Sequence, residues 1–161
     1  MKFGRIAWVL ALSVGAASTA MAQTATQTVT YTVSDVKTIA VSGNPAAMTV
    51  TAGGTGSTAT DATTTYDVTT NASSTSPATI TAQLSAAMPA GVTLSTALAD
   101  PDGAGAATSA GTVALSTTAQ NVVTGLSQVQ STGNTITYTL TAGVTAAAVS
   151  GQTVTVTYTV Q

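Results

Sequence analysis

The stretch that decides the fold is QTVTVTYTVQ, residues 152–161, at the end of the 161-residue chain. Four apolar side chains alternate in it with threonines: Val154, Val156, Tyr158 and Val160. A period of two is the spacing of a β-strand, whose successive side chains point to opposite faces. Threonine is β-branched and suits the solvent face of such a strand. The stretch therefore predicts a half-buried strand with its valines and its tyrosine turned inward.

The same alternation recurs earlier in the chain. It is clear in Thr135–Ala142 and Thr79–Leu84. Shorter candidate strands are Ile39–Val41, Met48–Thr51, Thr65–Thr69, Val92–Ser95 and Thr112–Ser116. Turn-forming sequences separate them, among them 43–45, 53–56, 89–91, 100–103, 131–134 and 150–151. Strands and turns at this spacing predict an all-β fold, an Ig-like antiparallel β-sandwich of about 7–9 short strands.

The first 22 residues have the three parts of a secretory signal peptide. Lys2 and Arg5 precede an apolar run from Ile6 to Ala17, and Ala20-Met21-Ala22 forms a small-x-small cleavage site. The run is too short to span ~30 Å of hydrocarbon comfortably. We therefore expect cleavage after Ala22, a secreted or cell-surface location with the periplasm in transit, and no membrane span in the mature chain. Residues 23–161 have the length of a single domain.

The composition of residues 23–161 argues against most catalytic chemistry. The chain has no histidine and no cysteine, and its sequence contains no glutamate. Most schemes of general acid–base, nucleophilic and zinc chemistry need these side chains. We therefore expect a protein that is not an enzyme and has no metal or other cofactor. Lys37 is the single basic residue after the leader, so the basic surface typical of a nucleic-acid-binding protein is missing.

Three short sequences formally match functional motifs, but none of them requires a functional interpretation. Ser34-Asp35-Val36-Lys37 matches the S-x-x-K of penicillin-binding enzymes, but the companion S-D-N and K-T-G motifs do not occur. Asp100 and Asp102 could bind calcium, although the sequence Asp-Pro-Asp-Gly is explained by turn chemistry alone, and we favour the turn. Asn71-Ala72-Ser73 is a formal glycosylation sequon, relevant only in a host that modifies such sites.

The N-terminal segment of the mature chain repeats the last strand. Residues 28–33 and residues 155–160 have the same six-letter sequence, TVTYTV. Either both are ordinary strands of one sandwich, or residues 24–33 are a detachable donor strand that fills a neighbour's groove through Val29, Tyr31 and Val33. All four tyrosines stand in apolar alternation and are predicted to be core: Tyr31, Tyr66, Tyr138 and Tyr158.

A cleaved leader, an alternating N-terminal strand, a threonine-rich sandwich and a closing V-T-Y-T-V strand resemble small secreted fibre-forming subunits. The comparison is with spore-coat-U-like pilins of the archaic chaperone–usher class and with TasA-type matrix fibre subunits. The resemblance covers most of residues 23–161 and implies donor-strand assembly. Spore-coat-U-like pilins usually carry a disulfide, whereas this chain has no cysteine.

Two functions of different class follow as expectations. The first is a non-enzymatic extracellular subunit of a pilus-like fibre or surface coat, which assembles by β-strand addition. Its partners would be copies of itself, as a homopolymer, or other surface or matrix proteins. The second is a monomeric secreted or surface-attached β-sandwich that serves as a binding or adhesin module. A stable monomer with residues 24–33 paired inside its own sandwich would favour the second function.

Overall fold

The computed structural model describes residues 23–51, 57–101 and 107–161. The chain divides into two units, Met1–Thr32 and Val33–Gln161, and all the strands described here belong to the second unit. The strands are β1 Lys37–Val41, β2 Ser57–Thr70, β3 Ala78–Leu84, β4 Val92–Leu98, β5 Thr108–Ser109, β6 Val113–Ala114, β7 Gln120–Leu126, β8 Val129–Ala142 and β9 Val156–Val160. No helix occurs among the described residues.

The strands form two antiparallel sheets. One sheet has the order β1-β2-β8-β4-β6, and the other has the order β5-β7-β3-β9. The chain begins the first sheet at one edge, with β1, and ends at one edge of the second sheet, with β9. The prediction of an all-β, antiparallel sandwich of seven to nine strands is confirmed. Two strands are longer than predicted, because β2 and β8 each run for 14 residues.

The core consists of the apolar side chains that the two sheets turn toward each other. It contains Tyr66, Val68, Ile80, Ala82, Leu84, Leu94, Leu98, Val122, Val123, Leu126, Ile136 and Tyr138. The predicted alternation in the last stretch is confirmed. Val154, Val156, Tyr158 and Val160 are half-buried, and each threonine between them is exposed.

One turn prediction was wrong because a bulge interrupts the sheet. Residues 131–134 were predicted to be a turn, but they continue β8. There Tyr66 pairs with Asn134 and Val68 pairs with Ser131, so β8 holds one extra residue at this point. Gly133 provides the required backbone conformation, with φ at +70°. The turn sequence therefore bends a long strand instead of ending it.

Other differences concern segments whose sequence pattern was weak or misleading. β7 was not predicted, and neither was the first half of β2. Residues 48–51 were predicted to be a strand, but they have no strand assignment and follow β1 as an irregular segment. Tyr66 and Tyr138 are core residues, as predicted, and Tyr158 is half-buried against the core. The prediction that Tyr31 is core was wrong, because its side chain is 83% exposed.

Candidate functional site

The N-terminal segment exposes its apolar side chains. Residues 23–36 have no strand assignment. Val29, Tyr31 and Val33 are 79%, 83% and 75% exposed. Scattered single apolar residues are normal on a protein surface, but three in strict alternation along one exposed segment are the pattern of a strand that lacks a partner. The three residues that the sequence singled out for assembly therefore have the exposure that docking on a neighbour would require.

A side-chain clamp holds the chain directly after this segment. The amide of Asn71, in the turn after β2, donates through Nδ2 to the Ser34 carbonyl at 2.7 Å and accepts from the Val36 backbone N–H at 2.8 Å. The backbone N–H of Asn71 also donates to the Val36 carbonyl. Residues 34–36 are thereby fixed to the sandwich, and the candidate donor segment ends immediately before the clamp.

The four sheet edges differ in how they are protected against pairing with another chain. The edge strands β5 and β6 are two residues long. β1 carries Lys37, whose Nζ lies 3.3 Å from the Asp35 carboxylate. Short edge strands and lysines on edges are common protections against edge-to-edge association. β9 has neither, because VTYTV contains five uncharged residues and no proline.

The outer edge of β9 presents unpaired backbone groups. Thr79 of β3 exchanges two backbone hydrogen bonds with Gln161, the residue directly after β9, at 2.9 and 3.0 Å. Since hydrogen-bonded pairs alternate along an antiparallel ladder, the odd-numbered residues of β9 point their N–H and C=O groups toward β3. The corresponding groups of Val156, Tyr158 and Val160 point away from β3. On that side no strand of the described chain pairs with β9.

A large apolar groove runs beside β9. Its volume is about 970 Å³. One wall is the inward face of β9, with Val156 and Tyr158, together with Val154 just before the strand. Opposite are Leu94, Tyr138 and Leu140, and irregular segments also line the groove, including residues 43–45, 47–50 and 146–153. None of the described residues that line the groove carries a charge. An uncharged, concave surface of this kind is suited to apolar side chains.

Three hydroxyl groups join the two sheets at the groove. The Tyr158 hydroxyl on β9 donates to the Tyr138 hydroxyl on β8 at 3.0 Å, and it lies 3.0 Å from the Thr96 hydroxyl on β4. Burial raises the pKa of the Tyr158 hydroxyl above its ordinary value, and burial likewise raises that of Tyr138. Both phenols are therefore neutral at physiological pH. Their hydrogen bond joins the β9 wall of the groove to the opposite wall.

A buried carboxylate ties the irregular segment after β1 to the sheet. Asp61 is 7% exposed and accepts hydrogen bonds from the Thr63 backbone N–H at 3.2 Å and from the Thr63 hydroxyl at 2.9 Å. Its second oxygen accepts from the Ala46 backbone N–H at 3.3 Å. Ala46 belongs to the irregular segment after β1, whose neighbouring residues line the groove. Sequence reasoning missed this role, because Asp61 stands at a register shift between β2 and β8, where the alternation that predicts burial is interrupted.

The side chains considered for catalysis or metal binding have structural contacts. The Asp100 carboxylate accepts from the Ser109 backbone N–H, while Asp102 lies outside the described residues. The amide of the sequon residue Asn71 is occupied by the clamp. In the described ranges no three acidic, histidine or cysteine residues come together as a metal site, and no helix is long and apolar enough to cross a membrane.

The chain matches no protein-family model, and searches of curated proteins and of solved structures give no significant match.

Proposed function

We propose that the protein is a non-enzymatic extracellular structural subunit that assembles by β-strand addition into a pilus-like fibre or a surface coat. The observation that carries the proposal is the exposure of Val29, Tyr31 and Val33 in an alternating segment that has no strand assignment. An unpartnered strand is a template for pairing with another chain, and its alternate side chains provide specificity by entering pockets. A head-to-tail contact that does not close grows a filament.

The energetics make the alternating side chains decisive. Ordering a free segment costs roughly 1–2 kcal/mol per residue. Each ladder hydrogen bond returns a net ~0.5–1.5 kcal/mol, and burying an apolar side chain adds about 1.5–3 kcal/mol. Hydrogen bonds alone do not offset the loss of chain entropy. Docking therefore depends on the burial of Val29, Tyr31 and Val33.

The experiment uses the protein expressed with its leader and purified after export. Mass spectrometry is expected to find Gln23 at the N-terminus, and an intact Met1 would contradict export. Negative-stain microscopy over a range of concentrations is expected to show linear oligomers. The double variant Val29→Asp with Tyr31→Asp should remain folded by circular dichroism and should not assemble. The matched control, Thr28→Asp with Thr30→Asp, places the same charges on the opposite face and should retain assembly to a larger extent.

The alternative function is a monomeric secreted or surface-attached binding module. The uncharged groove beside β9 is the observation that favours it, because a groove of about 970 Å³ could also take an apolar ligand. A protein that stays monomeric at every concentration, and whose Val29→Asp, Tyr31→Asp variant unfolds like a core mutant, would support this alternative and refute the assembly proposal.

A further inference from the structure

We infer that the acceptor surface for the donor segment is the outer edge of β9 together with the groove beside it, and that the occupant is residues 24–33 of a second copy of this chain. The inference rests on the proposed assembly and adds the surface on which it occurs. Three independent features of the described residues point to this edge.

The first feature is the backbone. Val156, Tyr158 and Val160 direct unpaired N–H and C=O groups outward along β9, and the edge carries no charge and no proline. The other three edges are each protected, two by strands of only two residues and one by Lys37. Among the strands described, β9 is therefore the edge best prepared to accept another strand.

The second feature is the row of pockets. A strand added to β9 continues the pleat of its sheet, so every second side chain points to the same face as Val156 and Tyr158. That face borders the groove, whose opposite wall includes Leu140. Val29, Tyr31 and Val33 have the period of two that would bring all three side chains into the groove, while the intervening threonines remain outside.

The third feature is the match in chemistry. The donor segment TATQTVTYTV contains no charged residue, and the described groove lining contains none either. Docking therefore removes no charge from water. Because residues 28–33 repeat residues 155–160, the added strand would place valines and a tyrosine beside the valines and the tyrosine of β9. Cross-strand pairs of β-branched and aromatic side chains are favourable.

The test exploits the absence of cysteine from the sequence. Two differently tagged full chains, each exported and carrying one cysteine, are mixed under assembly conditions and oxidised mildly. The donor copy carries Thr30→Cys or Thr32→Cys, and the acceptor copy carries Thr157→Cys on β9. Neighbouring strands bring paired Cβ atoms to about 4.5–5.5 Å, within reach of a disulfide after a small adjustment. If Tyr31 lies beside Tyr158, residue 157 pairs with Thr30 in a parallel arrangement and with Thr32 in an antiparallel one. A disulfide at Thr30→Cys therefore indicates parallel docking, and a disulfide at Thr32→Cys indicates antiparallel docking.

The matched control acceptor carries Thr38→Cys, an exposed threonine on the opposing edge strand β1. We expect the mixed disulfide with Thr157 to exceed that with Thr38 several-fold, and the β9 disulfide to appear only in oligomers. If oligomers form but the yield at Thr38 equals or exceeds that at Thr157, or if neither site is trapped, the acceptor is not β9 and the assembly proposal stands without this inference. If no oligomer forms, or if native mass spectrometry finds only monomers retaining a small apolar ligand, both the inference and the proposed function fail.

Discussion

The hydroxyl of Tyr158 on the edge strand β9 donates to the hydroxyl of Tyr138 on the central strand β8 at 3.0 Å. The two strands belong to different sheets, so this hydrogen bond crosses the interior of the sandwich beside the groove. β9 pairs with β3 on one side only. Its position over the first sheet therefore depends on this polar contact in addition to apolar packing.

Replacing Tyr158 with phenylalanine tests the cross-sheet contact. The change removes the bonds to Tyr138 and Thr96 while keeping the aromatic ring. We expect the free energy of unfolding to fall by about 1 kcal/mol, since a net hydrogen bond contributes of that order. Urea denaturation monitored by circular dichroism measures the loss. Tyr31→Phe is the control, because the Tyr31 side chain is 83% exposed and its hydroxyl should not contribute to the stability of the monomer. An equal loss in both variants would contradict the contact's role.

The buried tyrosines also predict how stability depends on pH. Burial raises the pKa values of Tyr66, Tyr138 and Tyr158 above the ordinary value of 10.0. A raised folded-state pKa means that the unfolded chain releases these protons first as the pH increases. We therefore expect the tyrosine contribution to stability to be complete below pH 10 and to be lost progressively above it. Urea midpoints measured between pH 8 and pH 12 would show the fall, with pH values chosen around the reference pKa.

The same titration has an internal control in Tyr158→Phe. This variant lacks one of the three shifted phenols, so its stability should fall less steeply above pH 10 than that of the wild type. A wild-type protein whose stability is constant to pH 12, or a variant with the same slope, would show that the phenols ionise as readily in the folded state as in the unfolded one.

Much of the sandwich could be predicted from alternation, because one face of a strand such as β9 is buried and the other is exposed. β7 could not be predicted in this way. Ile80 pairs with Val123 and Thr81 pairs with Asn121, so Val122 is an extra residue at a bulge. Both valines are fully buried, and two consecutive inward side chains remove the period of two. The groove is likewise invisible in the sequence, because it is bounded by side chains from strands distant along the chain.

The candidate donor segment, residues 24–33, shows that clear alternation does not by itself predict burial. From Thr28 onward its alternation is as complete as that of β9 and predicts the same local structure, yet Tyr31 is exposed and Tyr158 is half-buried. Identical local sequences therefore have different environments, since burial depends on which strand is available as a neighbour. Alternation identifies a segment that can form a strand, but the sequence alone does not name its partner.

Asp61→Asn tests the tie between the sheet and the irregular segment after β1, which lines the groove. Asparagine can keep the acceptor that faces Thr63, but its amide nitrogen cannot accept from the Ala46 N–H. We expect amide hydrogen exchange to accelerate at residues 43–50 and the free energy of unfolding to fall by about 1–3 kcal/mol, the usual loss when a buried partner is left unsatisfied. Asp67→Asn is the control, because Asp67 bonds the Gly133 N–H elsewhere on the sheet. Unchanged exchange at 43–50 in Asp61→Asn would contradict the tie.

Asn71→Ala tests whether the clamp sets the boundary of the candidate donor segment. The wild-type amide holds the Ser34 carbonyl and the Val36 N–H, so its removal should release residues 34–36 from the turn after β2. We expect faster amide exchange at Val36 and only a small loss of global stability, about 0.5–1.5 kcal/mol, because the clamp is on the exposed surface. Asn71→Asp separates the two bonds, since a carboxylate still accepts from Val36 but cannot donate to Ser34. Exchange at Val36 should therefore stay slow in Asn71→Asp and increase in Asn71→Ala. If exchange at Val36 is the same in the wild type and in Asn71→Ala, β1 and the backbone N–H of Asn71 suffice to hold this part of the chain, and the candidate donor segment has no fixed boundary at Ser34.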